Sequence, residues 1–245
     1  MLHAPAVALL VLLAGCGGDE MPTRPPPTPL DPASTGTITG TVTFAGPPPP
    51  MGTLNMASEP QCTAAHRGPV PTGDALVKDG KVENAFVWIE DGLGSRVFPQ
   101  PTAPVVVDQK GCVFTPRVVG AQTGQPIRFV NSDPMLHNVH STPSEAKGWN
   151  VSLAKQGVER EVRVAKPEVM IPLRCDVHPW MRGWIGVLDH PYFAVTGPDG
   201  KFALPFVPAG EYVVASWHER FGRREARVTV GAKETKEVAF AYDGN

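Results

Sequence analysis

The most regular pattern in this chain is an alternation of apolar and polar residues with a period of two. From Thr37 to Phe44, Ile38, Val42 and Phe44 share one parity, and threonines occupy the other. Successive side chains of a β-strand point to opposite faces, so this pattern predicts a strand with one buried face. Similar runs follow at Ala85 to Ile89, Pro104 to Val107, Ile127 to Val130, Val162 to Val164, Tyr212 to Trp217, Val228 to Val230 and Val238 to Tyr242.

Turn signals separate these runs, and no long segment carries the 3.6-residue period of an amphipathic helix. The turn segments are Asp79-Gly80, Gly197-Pro198-Asp199-Gly200 and Pro208-Ala209-Gly210. A single short helix is expected near Ser152 to Gln156. The chain is therefore predicted to be all-β, built from sandwiches or barrels.

The N-terminus has the composition of a targeting segment. Ala6 to Ala14 is apolar but too short to span a bilayer comfortably, so residues 1–15 are predicted to be a signal peptide. Leu13-Ala14-Gly15-Cys16 resembles a bacterial lipobox, which implies lipidation of Cys16. No Lys or Arg precedes the apolar run, so an uncleaved anchor or a different start site is the alternative. Residues 16–35 are rich in proline and are expected to form an extended, solvated tether.

Charge and cysteine content narrow the function classes. Lys plus Arg number 22 and Asp plus Glu 24, without a basic stripe, so we expect no nucleic-acid partner. Of the four cysteines, Cys62 and Cys112 are predicted to form a disulfide in an oxidising compartment. It would close a loop of about 50 residues and contribute about 4 kcal/mol. Free buried thiols are the alternative.

The strongest chemical signal is a short run of metal-binding side chains. Cys175-Asp176-Val177-His178-Pro179-Trp180-Met181 supplies a thiolate, an imidazole and a thioether, and His137 follows a strand that ends near Asn131. Two imidazoles and a thiolate with a weak axial Met describe a blue-copper site. One Cys and two His suit zinc as well, and a core thiol with a packed Met is a further alternative. Positions 176–180 contain no second Cys for a binuclear copper site.

Two resemblances place this site in a fold. Thr39-Gly40-Thr41-Val42-Thr43, the 82–89 segment and the 192–242 segment resemble carboxypeptidase-regulatory-like (transthyretin-like) β-sandwiches. Residues 36–96 and 190–245 are therefore expected to form such a sandwich, with residues 97–189 as a copper domain inserted in it or adjacent to it. Three consecutive units are the alternative.

The second resemblance is to the amicyanin-like or plastocyanin-like blue-copper cupredoxins, which have a Greek-key β-sandwich. It is carried by His137-Asn138-Val139-His140 and by Cys175-x-x-His178-Pro179-aromatic-Met181-Arg182-Gly183. It implies one type 1 copper bound by His137, Cys175, His178 and Met181, with Asn138 tying the two ligand loops together. Trp180 at the aromatic position departs from the pattern.

The residues around the proposed ligands suggest a docking surface. Leu136 precedes His137, and Pro179 and Trp180 follow His178, so the ligand edge is expected to be apolar and to contact a redox partner. Packing of Trp180 and Leu136 under the neighbouring sandwich is the alternative. The remaining histidines receive other roles: His140 is expected to be structural, His66 is a weak candidate for a second metal site, and His190 and His218 are expected at the surface or between domains.

These features predict a non-enzymatic blue-copper protein that carries single electrons. The expected partners are a redox protein, such as a dehydrogenase or a c-type cytochrome, and the membrane through an N-terminal lipid. The expected location is the bacterial cell envelope, either periplasmic or at the cell surface. The alternatives are an envelope copper carrier and an adhesion or carbohydrate-binding sandwich with a structural copper domain. The oligomeric state is not predicted.

Overall fold

The computed structural model describes residues 23–244 of the chain. The predicted signal peptide and Cys16 lie outside these residues. The described part of the tether is extended and largely exposed, but it lies along the folded part. The Thr28 amide donates to the Val97 carbonyl at 2.8 Å, and Arg24 forms an ion pair with Asp189 at 2.7 Å.

The all-β prediction is confirmed. The strands of the first half are β1 (Thr35–Phe44), β2 (Val77–Lys78), β3 (Lys81–Val82), β4 (Phe86–Asp91), β5 (Val105–Gln109), β6 (Phe114–Thr115), β7 (Val118–Gln122), β8 (Ile127–Asn131) and β9 (His137–Ser141). Those of the second half are β10 (Trp149–Leu153), β11 (Glu159–Val162), β12 (Glu168–Arg174), β13 (Arg182–Leu188), β14 (Phe193–Val195), β15 (Lys201–Pro208), β16 (Gly210–His218), β17 (Gly222–Val230) and β18 (Thr235–Tyr242). A 3₁₀ turn covers Pro32–Ser34, and one α-helix, α1, covers Pro60–Ala64.

The helix expected near Ser152 to Gln156 is not formed. Ser152 and Leu153 instead end β10, where they pair with Asn138 and His137 of β9. The predicted strand at Val162 to Val164 is also displaced, because β11 ends at Val162. In both places the pairing with a distant strand decides the local structure.

The first β-sandwich is formed by a sheet of order β15-β1-β3-β2, with β18 also paired to β1, and a sheet of order β14-β4-β16-β17. Ile38, Val42 and Phe44 of β1 point into the core between the sheets, whereas the alternate threonines are half-buried. The predicted parity of this strand is therefore correct. Every strand of this sandwich lies within residues 35–91 or 193–242.

The second β-sandwich is formed by sheets of order β10-β9-β12-β13-β7 and β11-β8-β5-β6, whose strands all lie within residues 105–188. Its core also contains Met56 and Cys62, which come from the segment between β1 and β2. This differs from the predicted boundaries, which assign both residues to the first sandwich. The difference arises because α1 packs across the second core, and local patterning does not indicate such a contact.

The two sandwiches contact each other through β7 and β13 of the second and β4, β14 and β16 of the first. A buried cluster at this contact includes Phe86, Val118 and Leu188. A Cβ atom at Gly186 would lie 2.3 Å from the Phe86 ring, so the close approach of β13 to β4 requires glycine at this position. Arg117 and Glu219 form a two-pronged ion pair beside the same contact. Among the residues described, no helix is long and apolar enough to span a bilayer.

Candidate metal centre

His137 is positioned by the loop between β8 and β9. The Asn131 side chain, at the end of β8, donates to the carbonyls of Met135 at 2.7 Å and Leu153 at 2.9 Å. Its Oδ1 accepts the Asp133 amide at 2.9 Å. Asn131 thus holds both ends of the short loop that leads to His137, the first residue of β9.

The other three predicted ligands lie in the loop from Cys175 to Met181, between the antiparallel strands β12 and β13. The Met181 amide donates to the His178 carbonyl at 2.9 Å, and the Cys175 amide points to the Met181 carbonyl at 3.4 Å. These bonds close the loop tightly, so the three side chains are held on one short stretch of backbone.

The structure brings the nitrogen and sulfur donors together in one buried place. One ring nitrogen of His137, one of His178 and the Cys175 sulfur all lie within 4.8 Å of one another. The Cys175 Sγ is 3.7 Å from Nδ1 of His178. Each of these side chains is at most 2% exposed, and Met181 in the same loop is 1% exposed.

His137 has a free coordination position inside this cluster. Its Nε2 contacts the Asp133 carboxylate at 2.9 Å, whereas its buried Nδ1 has no hydrogen-bond partner. A buried polar atom without a partner is costly. Metal-bound histidines commonly donate their other ring N–H to a carboxylate, which fixes the ring and its tautomer. The residues present therefore fit a metal ion bound at Nδ1.

The electrostatics of the cluster also suit a cation. Burial raises the pKa of the Cys175 thiol, but the interaction with His137 and the backbone amides of Asn138, Val177 and His178 outweighs it and lowers the pKa overall. Burial and the neighbouring His137 lower the pKa of His178, which favours a neutral imidazole. A thiolate and a neutral imidazole are the ligand forms that copper and zinc require.

For His137, burial lowers the pKa, but the interactions with Asp133 and Cys175 outweigh it and raise the pKa to about 9. In the metal-free protein the ring thus favours its protonated form, between the Asp133 carboxylate and the Cys175 sulfur. The Asp133 carboxylate is a strong acceptor here, because it also receives the amides of Gly111 at 2.7 Å and Cys112 at 2.8 Å. A metal ion at Nδ1 would replace the proton and keep the Asp133 bond.

Asn138 connects the two ligand loops. Its Oδ1 accepts the Asp176 amide at 2.7 Å and lies 3.2 Å from the Cys175 sulfur. Its Nδ2 donates to Asn150 at 2.7 Å and to the Asp176 carboxylate at 2.8 Å. These contacts are of the kind that the resemblance implies for Asn138. His140 lies on the outer side of this network and bonds Asp176 at 2.9 Å.

The three residues predicted to dock a partner differ in exposure. Leu136 is 45% exposed and Pro179 is exposed, so both are available at the surface. Trp180 is half-buried, and its indole N–H donates to the Cys112 carbonyl at 3.0 Å, with its ring 5.2 Å from that of His178. Trp180 therefore packs within the second sandwich, beside the segment that carries Cys112.

The Cys62 and Cys112 sulfurs are bonded to each other. This disulfide lies beside the metal cluster, because both sulfurs and a ring nitrogen of His178 are also within 4.8 Å of one another. The disulfide and α1 thus form part of the cover over His178.

The other histidines lie outside the cluster. Among the described residues, the groups of side chains close enough to share a metal do not include His66, whose Nε2 instead contacts the Gly111 carbonyl at 2.7 Å. His190 is half-buried against Tyr192. His218 is not at the surface: it is 1% exposed, and its ring stacks on Phe221 of the first sandwich at 4.3 Å.

Two residues of this region had no predicted role. Asp133 orients His137, and Met135 contacts the disulfide sulfurs. Asp133 precedes the ligand by four residues at the end of a predicted strand, so its position alone offers a weak signal. The role of Met135 depends on α1 and carries no local signal.

No protein-family model matches this chain, and no curated protein matches its sequence. Solved copper proteins are similar in structure to part of it. The Cu-containing nitrite reductase NirK of Thermus scotoductus SA-01 is 24% identical over 40% of this chain and 25% of the reductase, with a TM-score of 0.33. A reduced mutant of amicyanin is 21% identical over 34% of this chain and 81% of amicyanin, with a TM-score of 0.31.

A purple cupredoxin of Nitrosopumilus maritimus is 18% identical over 34% of this chain and 98% of its own, with a TM-score of 0.30. The matched part spans only a quarter of the nitrite reductase. At these scores the likenesses carry no part of the case for copper, which rests on the side chains described above.

Proposed function

We propose that this protein binds one type 1 copper ion through His137, Cys175, His178 and Met181 and transfers single electrons. The observation that carries the proposal is the buried, unpartnered Nδ1 of His137, which lies within a cluster that also holds the Cys175 sulfur and His178. Copper bound there would supply the one-electron couple between Cu(I) and Cu(II). Two imidazoles, a thiolate and a nearby thioether are the donors that such sites use.

Electron transfer is favoured over catalysis by the completeness of the ligand set. Catalytic metal sites keep an open position for water or substrate. Here donors of His137, Cys175 and His178 lie within 4.8 Å of one another, Met181 is in the same loop, and all four side chains are at most 2% exposed. The hydrogen bonds of Asn138 and Asp133 hold two of them in place, and a fixed ligand geometry keeps the reorganisation cost of electron transfer low.

We further propose that the second sandwich is a copper module inserted in a carboxypeptidase-regulatory-like sandwich. The strand ranges support insertion, because strands from residues 105–188 form separate sheets between the two halves of the first sandwich. Expression of residues 36–96 joined to 190–245 tests it. A folded product would support insertion, and an unfolded product beside a stable full chain would count against it.

We propose an extracytoplasmic location, with a lipid at Cys16 as the membrane anchor and a redox protein as the partner. The Cys62–Cys112 disulfide supports the location, since disulfides persist in oxidising compartments. Metabolic labelling with a fatty acid, compared between the chain and Cys16→Ser, tests the anchor. Absence of label in the unsubstituted chain would refute it.

The central experiment is an optical and redox titration of the copper-loaded protein. We expect an intense visible charge-transfer band that disappears on one-electron reduction and returns on oxidation, and that is absent from Cys175→Ser. A band that survives Cys175→Ser would overturn the ligand assignment. Preferential binding of zinc, with copper bound only weakly, would overturn the choice of metal.

A second candidate function is copper capture and delivery, and the burial of His178 favours it. With 1% of its surface exposed, this ligand offers little edge to a redox partner. A protein that stays colourless, binds only Cu(I) and yields it to a chelator would support delivery and count against electron transfer.

A further inference from the structure

Three sulfur atoms from separate parts of the chain meet beside the proposed copper site. Met135 Sδ lies 3.6 Å from Cys62 Sγ and 3.4 Å from Cys112 Sγ. Cys62 is in α1, Cys112 is in the loop between β5 and β6, and Met135 precedes β9. Both cysteines are fully buried, and Met135 is half-buried.

The chemistry of this group extends beyond a structural link. A disulfide needs only apolar packing around it, but Met135 places a thioether against both sulfurs. His178 adds a ring nitrogen within 4.8 Å of them. Thiolate and thioether sulfurs are the ligands that select Cu(I). Reduction of the disulfide would therefore create a compact set of soft donors.

We propose that the Cys62–Cys112 disulfide is the closed form of a second copper site. When a dithiol opens it, the sulfurs of Cys62, Cys112 and Met135 bind one Cu(I). The reductant's two thiols supply two electrons and two protons to the S–S bond and become a disulfide themselves. Cu(I) then takes the place of the protons on the cysteine sulfurs, and the protons pass to solvent.

This site is closed in the oxidised protein, because disulfide sulfurs carry no thiolate charge. Reoxidation by a disulfide or another two-electron oxidant would re-form the S–S bond and expel the ion. The site uses neither Cys175 nor His137, so it does not depend on the electron-transfer proposal. It would make copper capacity respond to the thiol balance of the compartment.

The test is an anaerobic titration with Cu(I), in competition with a chromogenic Cu(I) chelator, before and after reduction. The reductant is dithiothreitol, removed by desalting. We expect one Cu(I) per oxidised chain and two per reduced chain. The reduced Cys175→Ser protein should still gain an ion on reduction, which separates this proposal from failure of the Cys175 site. Equal capacities before and after reduction would refute the second site.

Substitutions at the three sulfur residues test which side chains bind the second Cu(I). The double variant Cys62→Ser and Cys112→Ser should bind a single Cu(I) under both conditions, and a second ion in this variant would overturn the assignment. Met135→Leu should weaken the second Cu(I) by roughly tenfold or more. Met56→Leu, which alters a buried methionine of the same core, is the matched control and should not weaken it.

The double variant loses a stabilising link, so a measurement on a protein that keeps Cys62 and Cys112 makes the test independent of its folding. X-ray absorption at the copper edge, on reduced Cys175→Ser loaded with Cu(I), should show three sulfur neighbours. A spectrum dominated by nitrogen neighbours would exclude the three-sulfur site.

Discussion

Asp133 and His137 are joined by a 2.9 Å contact between a carboxylate oxygen and Nε2 of the imidazole, and both side chains are buried. This contact occupies Nε2 and leaves the buried Nδ1 without a hydrogen-bond partner, in a ring that has one nitrogen within 4.8 Å of Cys175 and His178 donors. The carboxylate thus decides which nitrogen of His137 is available to a metal. It also accepts two backbone amides, so its own position is fixed.

Replacement of this carboxylate should weaken metal binding without removing a ligand. We expect Asp133→Asn to lower copper affinity by roughly 10- to 100-fold, the usual effect of losing a carboxylate that orients a ligating histidine. Chelator competition measures it. Asp243→Asn, in the first sandwich, is the control and should bind copper normally. Unchanged affinity in Asp133→Asn would show that His137 is oriented by other contacts.

Loss of the Asn138 hydrogen bonds that connect the two ligand loops should affect both the free energy of unfolding and copper retention. Asn138→Ala removes the acceptor of the Asp176 amide and the contact with the Cys175 sulfur. We expect a loss of about 1 kcal/mol, the usual net contribution of one hydrogen bond, and faster copper release. Urea unfolding and transfer to a chelator measure the two effects.

Asn150→Ala is a matched control for the tie, because Asn150 bonds Asp176 and Asn138 but has no bond to Cys175. It should release copper at close to the normal rate. Equal rates of copper release from Asn138→Ala and Asn150→Ala would mean that Asn138 connects the two ligand loops only through its bonds to Asp176.

Met181, the proposed axial ligand, should affect the reduction potential of the copper more than the free energy of unfolding. Met181→Leu conserves volume in a site that is 1% exposed, so unfolding of the metal-free protein should change by less than about 1.5 kcal/mol. Removal of a weak donor to Cu(II) should raise the reduction potential. Protein-film voltammetry checks it, and an unchanged or lower potential would argue that Met181 is not a ligand.

The exposed residues beside the proposed copper ligands should determine the rate of electron exchange with a redox partner. Leu136 is 45% exposed immediately before His137, and we expect Leu136→Lys to slow electron exchange with a c-type cytochrome several-fold. Val106→Lys alters a residue of β5 that is 46% exposed, and should have little effect. Stopped-flow kinetics compare the two, and equal rates would remove Leu136 from the docking surface.

The buried His218 should make stability fall in mild acid. Burial lowers its pKa from 6.5 to about 4, so the folded protein holds it neutral. Between these values the unfolded chain takes up a proton that the folded chain does not. The contribution of neutral His218 to the free energy of unfolding is therefore fully present above pH 6.5 and is lost as the pH falls toward 4. At pH 4.5 the loss is roughly 2–3 kcal/mol from this residue.

Urea unfolding of metal-free protein at pH 7 and pH 4.5 measures this loss, and His218→Gln should reduce the difference by about that amount. His190, whose pKa burial also lowers to about 4, should account for a separate part of the difference. If His218→Gln leaves the difference unchanged, the proton is taken up elsewhere.

The sequence alone determined the all-β class, the buried face of β1 and the ligand loop, because these depend on local patterns. The parity of β1 shows which of its faces is buried, since successive side chains of a strand must point in opposite directions. The spacing of Cys175, His178 and Met181 similarly requires a tight loop between two strands. The resemblance of these residues to blue-copper proteins added a ligand set to that local picture.

Only the tertiary structure decided what surrounds the ligands. The alternation of apolar residues does not reveal which segment covers a buried face, so the packing of α1 over the second core could not be predicted from it. The predicted Cys62–Cys112 disulfide linked Cys62 to that domain but gave no position for the helix. The partnership of Met135 with the disulfide and the contact at Gly186 depend on segments far apart in sequence. Such contacts leave no periodic signal, because packing between separate elements sets them rather than the local backbone.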